Sequence, residues 1–481
     1  MRQMTYRRSL ASLTALLFAA CTAVGPSYAP PAAKVPDAWQ EPPGAGLTGE
    51  ALDTALWWQR LGDPMLDDLV GRAATQGLDL RAALARVREA RALRGVASGE
   101  RSPAIRATGS YEHREESTNT PFGAFISETD IHSVGLDASW ELDLWGRLQR
   151  SLEAANAQLE ASVEDARAVL VAVVAETAAA YVDLRSLQAR LAIARTNVEL
   201  QEQTLALVQS RFDAGLVGER DLAQASTNVG ATRSRVPALE VGVRAAENRL
   251  AVLVGQPPGS LAQTLARPRP IPQPPGAVAV GLPAELLRRR PDVRGAERRL
   301  AAEVARIGVA EGDLYPRLSL AGTLGLASDG LSSLLEGDSK VLGYGLSLEW
   351  NVFQNGRLRN LVEAQDARAQ QAAIAWEQTV LLALEETENA MTAFVREQDR
   401  REALSSAADS ARRAVAASQS QYREGLSDFQ TVLDSERALA ELEDQLAASS
   451  AAVTSNLIAL YRALGGGFEP RADGALALET R

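Results

Sequence analysis

Two segments of this chain, Arg147 to Ala214 and Arg357 to Glu424, each run for 68 residues without one Gly or Pro, and they begin 210 positions apart. Both open on Gly-Arg-Leu (Gly146-Arg147-Leu148 and Gly356-Arg357-Leu358), and both close on a Gly (Gly215 and Gly425). An α-helix rises about 1.5 Å per residue, so each segment is expected to be a helix roughly 100 Å long, far beyond the diameter of an ordinary domain. A chain built this way spans a distance.

The periodicity agrees with helix. In the first segment Leu148, Leu152, Ala155, Leu159, Val163, Ala166, Leu170, Val173, Thr177, Tyr181, Leu184, Leu187, Leu191, Ala194 and Val198 advance by threes and fours, a coiled-coil-like seam. Ala is frequent in and beside the seam, so each contact buries little and backbones can approach closely, as in a wall of helices packed over a long distance. Arg, Glu, Gln and Asp fill much of the remaining surface, which is expected to be wet.

The N-terminus speaks to location. Arg2, Arg7 and Arg8 precede an apolar run from Leu10 to Ala20 that ends at the only cysteine, Cys21. Residues 1–20 read as a secretory signal peptide, too short for a membrane span. Leu17-Phe18-Ala19-Ala20-Cys21 resembles a bacterial lipobox, in which the cysteine takes a diacylglyceryl group and an N-acyl chain; by the same sorting rules Thr22 points to the outer membrane. With one cysteine no intrachain disulfide can form. Removing residues 1–20 leaves 47 basic against 61 acidic side chains, a charge of −14, which argues against a nucleic-acid surface.

The spacing of 210 extends past the two long segments. Trp140 matches Trp350, Glu176-Thr177 matches Glu386-Thr387, Phe212 matches Tyr422, and Leu222 matches Val432. Upstream, Ser102-Pro103-Ala104-Ile105 matches Tyr315-Pro316-Arg317-Leu318 at an offset of 213. A period this long is a duplicated domain, not a solenoid repeat. Each copy reads helix, strand, strand, very long helix, glycine turn, helix. The first repeat takes residues 63–255, with helices at about Pro64 to Glu100, Arg147 to Phe212 and Arg220 to Val254. The second takes 283–467, with helices at about Pro283 to Leu314, Arg357 to Tyr422 and Asp428 to Leu464. A Pro-rich arm at 21–62 precedes the first, a Pro-rich linker at 256–282 is expected to join them as stiff extended chain, and the tail at 468–481 reads as disordered.

The strands bear on the membrane. Expected strands at 317–327 and 341–352 alternate Leu318, Leu320, Leu324 and Leu326, then Leu342, Tyr344, Leu346, Leu348 and Trp350, against small or polar residues. Those at 104–112 and 132–143 are their first-copy counterparts, the second carrying Val134, Leu136, Ala138, Trp140 and Leu142 on one face. This is the pattern of an outer-membrane barrel, although a half-buried soluble sheet alternates in the same way. Four strands close no barrel and an open edge is not tolerated in lipid, so strands that cross a membrane must share one barrel between two or more chains, a dimer being allowed as well as a trimer.

Gly281-Leu282-Pro283-Ala284-Glu285-Leu286-Leu287, Arg290-Pro291-Asp292-Val293, Ala296-Glu297, Ile307-Gly308-Val309-Ala310 and Tyr315-Pro316-Arg317-Leu318-Ser319-Leu320 together resemble the outer membrane factor family of TolC-like efflux channels. Cys21-Thr22-Ala23-Val24-Gly25-Pro26 with Tyr28, Trp57-Trp58, Asp63-Pro64 and Leu66 resembles its lipoprotein branch, which serves resistance-nodulation-division pumps. The resemblance covers nearly the whole mature chain. It implies a mainly α fold with a β-barrel contribution: a homotrimer whose chains each give four strands to a twelve-stranded outer-membrane barrel, continued by a periplasmic α-helical barrel. It implies a passive exit duct of a tripartite pump, opened by a periplasmic membrane fusion protein and driven by an inner-membrane transporter. Alternatives within reach of the sequence are a type I protein-secretion channel and a non-porous coiled-coil lipoprotein.

No catalytic constellation is present. The only histidines, His113 and His132, have no ligand spacing, and no nucleotide or metallohydrolase motif occurs, so neither enzyme nor bound cofactor is expected beyond the lipid on Cys21. The helix turns are the candidate sites. Gly215-Leu216-Val217-Gly218 and Gly425-Leu426-Ser427 resemble the family's adaptor-docking tips, and in the second copy Ser427 or Asp428 is expected to cap the following helix. Gate candidates are Asp434, where the branch carries an inward acidic ring, with Gln421, Tyr422 and Arg211. The copies differ there: Asp434 stands against Gln224, and Gln421 against Arg211.

Overall fold

The computed structural model describes residues 23–41, 46–48, 55–117, 119, 128–276 and 278–467; the leader 1–20, Cys21 and the tail 468–481 lie outside them. In chain order the elements are β1 (Leu47–Thr48), a 3₁₀ turn (Trp57–Leu61), α1 (Pro64–Gln76), α2 (Leu78–Gly99), β2 (Ala104–Glu115), β3 (Glu128–Leu142), α3 (Arg147–Asp213) and α4 (Glu219–Leu253). There follow α5 (Ala262–Leu265), β4 (Val278–Ala279), α6 (Pro283–Arg289), α7 (Pro291–Gly312), β5 (Arg317–Ser328), β6 (Lys340–Glu349), α8 (Arg357–Arg423) and α9 (Phe429–Ala463), with a further 3₁₀ turn at Gly337–Ser339. The fold is mainly α with a β contribution, as the sequence predicts. Contacts cluster into two compact units. The first takes Met1–Ala32, Arg86–Ser162 and Gly295–Glu377; the second takes Ala33–Ala85, Val163–Arg294 and Gln378–Arg481.

The first unit holds one antiparallel sheet in the order β2-β3-β5-β6. The second strand of copy one therefore pairs with the first strand of copy two, and β2 and β6 are its free edges. One face is apolar: Ile105, Val134, Leu136, Trp140, Leu320, Leu324, Leu342, Tyr344, Leu346 and Leu348 are all exposed. Each strand pair is stitched to the preceding helix in the same way. Trp140 Nε1 donates to the Arg101 carbonyl at 3.0 Å, and Trp350 Nε1 donates to the Leu314 carbonyl at 3.0 Å. The tryptophans are 210 apart and their acceptors 213, which places three extra residues in copy one, between Arg101 and Trp140, where the β2–β3 hairpin lies. Trp145 stacks on Tyr315 at 5.0 Å and donates to the Pro316 carbonyl at 2.8 Å.

The N-terminal arm packs in this unit through backbone closeness. Gly25 adopts φ +86, and a Cβ there would lie 2.4 Å from Gly308 Cα, so this approach admits no side chain on the Gly25 side. Arg150 fixes it by donating to the Val24 and Gly25 carbonyls, each at 3.0 Å. Tyr28 donates to Glu297 Oε1 at 3.0 Å with the Arg298 guanidinium over its ring. Burial, reinforced by Glu297, pushes the Tyr28 phenol up to about 12.

Two helices expected to be continuous are broken, at quasi-equivalent points. Gly77 interrupts Pro64 to Glu100 with an extended ψ of 131, its N–H still bonded to the Ala73 carbonyl. Arg290 interrupts Pro283 to Leu314 with φ −68 and ψ 120, because the ring of Pro291 disfavours helical geometry in the residue before it. The linker is not merely extended chain: Leu261 and Leu265 are buried around α5, and β4 pairs in parallel with β1. Strand limits also differ, with β3 starting at Glu128 instead of 132 and β6 ending at Glu349, so Trp350 lies beyond it.

In the second unit the buried seam contains Val173, Thr177, Tyr181 and Leu184 of α3. Trp57 stacks on Tyr461 at 5.1 Å, and Asp63 caps α1 by accepting from Met65 N at 2.8 Å while also accepting from the Tyr181 hydroxyl at 2.5 Å. Arg290 is the central polar tie. It forks onto Asp292 at 3.0 and 2.7 Å, pairs with Glu386 at 2.8 Å and donates to the Ala463 carbonyl at 2.9 Å, at the C-terminus of α9. Burial pushes the Glu386 carboxyl up, but Arg290 and Arg462 together outweigh it and hold it below its ordinary value. The Arg-Pro-Asp motif thus sets a helix break and binds three elements at once. Replacing Arg290 by Gln leaves buried acceptors unpaired and is expected to destabilise the fold by about 3 kcal/mol; Lys restores only part, since it cannot fork. Urea denaturation of the detergent-solubilised protein measures this, and a midpoint equal to the parent's would refute it.

Candidate functional site

The two glycine turns end α3 and α8 with the same backbone device. Gly215 and Gly425 take φ of 70 and 76. Leu216 N–H bonds to the Arg211 carbonyl and Gly215 N–H to the Phe212 carbonyl, both at 2.8 Å. Leu426 N–H bonds to the Gln421 carbonyl at 2.8 Å and Gly425 N–H to the Tyr422 carbonyl at 3.1 Å. These are Schellman closures, in which the residue after the glycine commonly packs back on the residue five before it. Here those partners are Arg211 and Gln421, both polar. Leu216 and Leu426 are left 68% and 75% exposed, apolar side chains presented at both tips.

The next helices start differently. Asp428, not Ser427, caps α9, accepting from Thr431 N at 3.0 Å and from Thr431 Oγ1 at 2.7 Å. These bonds hold its carboxyl below the usual carboxylate value. Gly218 precedes α4 with no side-chain cap, while Glu219 and Asp221 supply negative charge to its first turn.

Beneath the turns, Val208 of α3, Ala225 of α4, Tyr422 of α8 and Phe429, Val432 and Leu433 of α9 form one buried cluster, against which Val217 packs. Arg211 lies over the Tyr422 ring, 4.5 Å from its centroid, and donates to the Tyr422 carbonyl. The structure therefore brings two gate candidates from opposite copies together, as a cation over an aromatic ring and not as an arginine–carboxylate latch. The Gln421 side chain is exposed. Asp434 is exposed as well, accepting from Gln430 on its own helix at 2.9 Å. Phe212 lies at the surface while its match Tyr422 is buried, so the duplication does not extend to how the tips pack.

One buried carboxylate of the tip bundle is not among the residues the sequence singles out. Glu436 is 2% exposed and accepts from Thr204 Oγ1 at 2.6 Å and from Gln419 Nε2 at 3.0 Å, both neutral groups. Burial pushes its carboxyl up, and the two hydrogen bonds only partly offset that. One turn before Thr204 on α3, Gln201 is buried with Oε1 unbonded. The signal was present: an acid stands three and four residues from the core positions Val432, Leu433, Leu439 and Ala440, where copy one has Ser226.

A carboxyl raised on folding binds more protons in the folded state, so its contribution to stability falls as pH rises from the unfolded value through the raised one. Acidification through that window is expected to tighten the tip bundle. Glu436→Gln should remove this dependence and slow amide exchange in α9 at neutral pH. A pH slope of exchange identical in parent and variant would exclude the assignment.

The sequence profile described as "Outer membrane efflux protein" matches residues 69–256 and 282–466. The chain is 31% identical to Nodulation protein T of Rhizobium leguminosarum bv. trifolii, across 98% of this chain and 100% of that protein. It is 32% identical to Outer membrane protein OprJ of Pseudomonas aeruginosa, across 95% of each. Among solved structures, the outer-membrane channel OprN superposes with a TM-score of 0.86 at 36% identity, covering 93% of this chain and 100% of that one. The open state of the Neisseria gonorrhoeae MtrE outer membrane channel superposes with a TM-score of 0.81 at 25% identity, covering 93% and 99%.

Proposed function

The chain belongs to the outer membrane efflux protein family and is an outer-membrane efflux channel, and on that basis we propose that it works as a homotrimeric, lipid-anchored exit duct of a tripartite pump. The observation that carries this reading is the sheet of the first unit. Its four strands expose a continuous apolar face and end in two unpaired edges. Lipid tolerates no unpaired edge, so each β2 must meet the β6 of another copy, and three copies give a twelve-stranded barrel. Among the described residues no helix is long and apolar enough to cross a membrane.

The energy then comes from elsewhere: an inner-membrane resistance-nodulation-division transporter drives export, and a periplasmic membrane fusion protein seats on the tips and opens them. Leu216 and Leu426 are the exposed apolar anchors for that contact, and Arg211 on Tyr422 couples the turn of one copy to the turn of the other. Asp434, near the tips on an exposed helix face, would stand in threefold array, where like carboxylates repel one another and attract cations. Cys21 carries the acyl anchor, with the Ala23–Tyr28 arm drawn onto α3 and α7 behind it.

Planar-bilayer recording of the purified protein tests the channel: no conductance, even after disruption of the tips, would exclude it. Replacing Leu216 and Leu426 by Glu is expected to weaken adaptor binding by about 30-fold, the loss of a hot-spot pair, and to abolish efflux in cells while the channel still conducts. Asp434→Ala should raise the conductance of the isolated channel; unchanged conductance and cation preference would remove Asp434 from the gate.

A further inference from the structure

We propose that Asp137 and Arg106 form a fixed-charge belt inside the barrel that sorts passing solutes by charge and dipole, separately from the periplasmic tips. The inference rests on the reading above that the strands share one closed barrel with their apolar face to the lipid.

Side chains alternate across a strand, so the register fixes which residues share the bore. One row runs Arg106, Asp137, Thr323, Gly343 across all four strands. The leucines and Trp140 lie on the opposite parity. Neighbouring rows of the same face are small: Thr108, Gly135, Gly325 and Val341 on one side, Ala104, Ser139, Ala321 and Gly345 on the other. Gly135 and Gly325 oppose each other so closely that a Cβ on Gly325 would lie 2.7 Å from the Val134 carbonyl oxygen. Two long charges therefore rise from a floor with almost no side chains.

The carboxylate is held, and not by its cross-strand cation. Thr108 Oγ1 donates to Asp137 Oδ2 at 2.8 Å, and Thr323 Oγ1 donates to Oδ1 at 2.6 Å. Both oxygens are fixed by neutral hydroxyls on the two flanking strands. Arg106 is exposed, sits directly opposite, and among the described residues makes no ion pair with Asp137. Other charges of this face lie near the strand ends, where Arg114 pairs with Glu112 at 2.8 Å, Glu141 with Arg147 at 3.0 Å, and Arg317 with Asp313 at 2.6 Å. Mid-strand, the opposite charges stand apart, and three copies alternate them around the bore. Such a belt is neutral in sum but carries an alternating field along the wall of the bore, which favours zwitterions and solutes with separated charges over ions of a single sign.

Ser139, the next inward residue after Asp137, supplies the reporter. In intact cells carrying Ser139→Cys, labelling by membrane-impermeant thiosulfonates bearing trimethylammonium or sulfonate groups gives a cation-to-anion rate ratio that needs no open tip. The parent chain, whose only cysteine is Cys21, is the blank. Adding Asp137→Asn should lower the ratio about twofold in physiological salt, adding Arg106→Gln should raise it about twofold, and the double change should restore it. Low salt should enlarge each shift. A Cys at 139 that no reagent reaches would overturn the barrel reading itself. A labelled Cys whose ratio stays constant, or moves the same way in both variants, would overturn the belt alone. Asp137→Asn keeps the shape of the side chain, so a purely structural role for the two threonine bonds predicts no change in the ratio.

Discussion

The rest of the architecture depends on one requirement: in hydrocarbon every backbone N–H and C=O must find a partner inside the protein. Four strands per chain leave β2 and β6 with free edges, which in the proposed trimer are completed by the edges of other copies. The same requirement accounts for the composition of its faces. Leu136, Leu324, Leu342 and Leu346 are exposed in the single chain because lipid, not protein, is their partner, and the opposite face is mostly Gly, Ala, Ser and Thr around Arg106 and Asp137 because it walls a bore.

Duplication supplies the second constraint. An offset of 210 governs the long helices and their endings, down to equivalent Schellman closures at Gly255 and Gly465, where Gln256 bonds to the Ala251 carbonyl and Gly466 to the Tyr461 carbonyl, each at 2.8 Å. An offset of 213 governs what lies upstream, including the helix breaks at Gly77 and Arg290. Glu176 with Arg249 and Glu386 with Arg462 pair corresponding long helices to the last helix of each copy. What duplication fixes is therefore scaffold. The copies separate at the tips: Arg211 against Gln421, Phe212 against Tyr422, and Ser226 against Glu436.

Legibility in the sequence follows the range of the physics. The long helices and the strands were readable because seam periodicity, alternation and glycine closures are local. The break at Arg290 was written in Pro291, whose ring acts on the residue before it; the break at Gly77 was not, since a single Gly is often tolerated within a helix. Two-residue strands such as β1 and β4 carry no period at all, and their pairing joins Leu47 to Val278 across the first repeat. The tip residues were placed on their turns by sequence, but the contact of Arg211 with Tyr422 depends on how two helices lie together. Glu436 showed itself only as an acid in an apolar stripe, because its partner Thr204 is 232 positions away.

The carboxylates of this protein divide by the partner that holds them. Asp292 and Glu386 on Arg290, and Asp444 on Arg190 at 2.7 and 2.9 Å, are met by guanidinium forks or bridges, so their charge is spent within the fold and their role is to tie elements. Asp137 and Glu436 are held by hydroxyl and amide donors, which fix position without cancelling charge. Such a group remains available to a third party. In the water-filled bore, Asp137 keeps its charge toward whatever solute passes. Inside the tip bundle, where burial makes the same charge costly, Glu436 is drawn toward its protonated form and becomes linked to pH. One local arrangement thus serves two purposes, and solvent access decides between them.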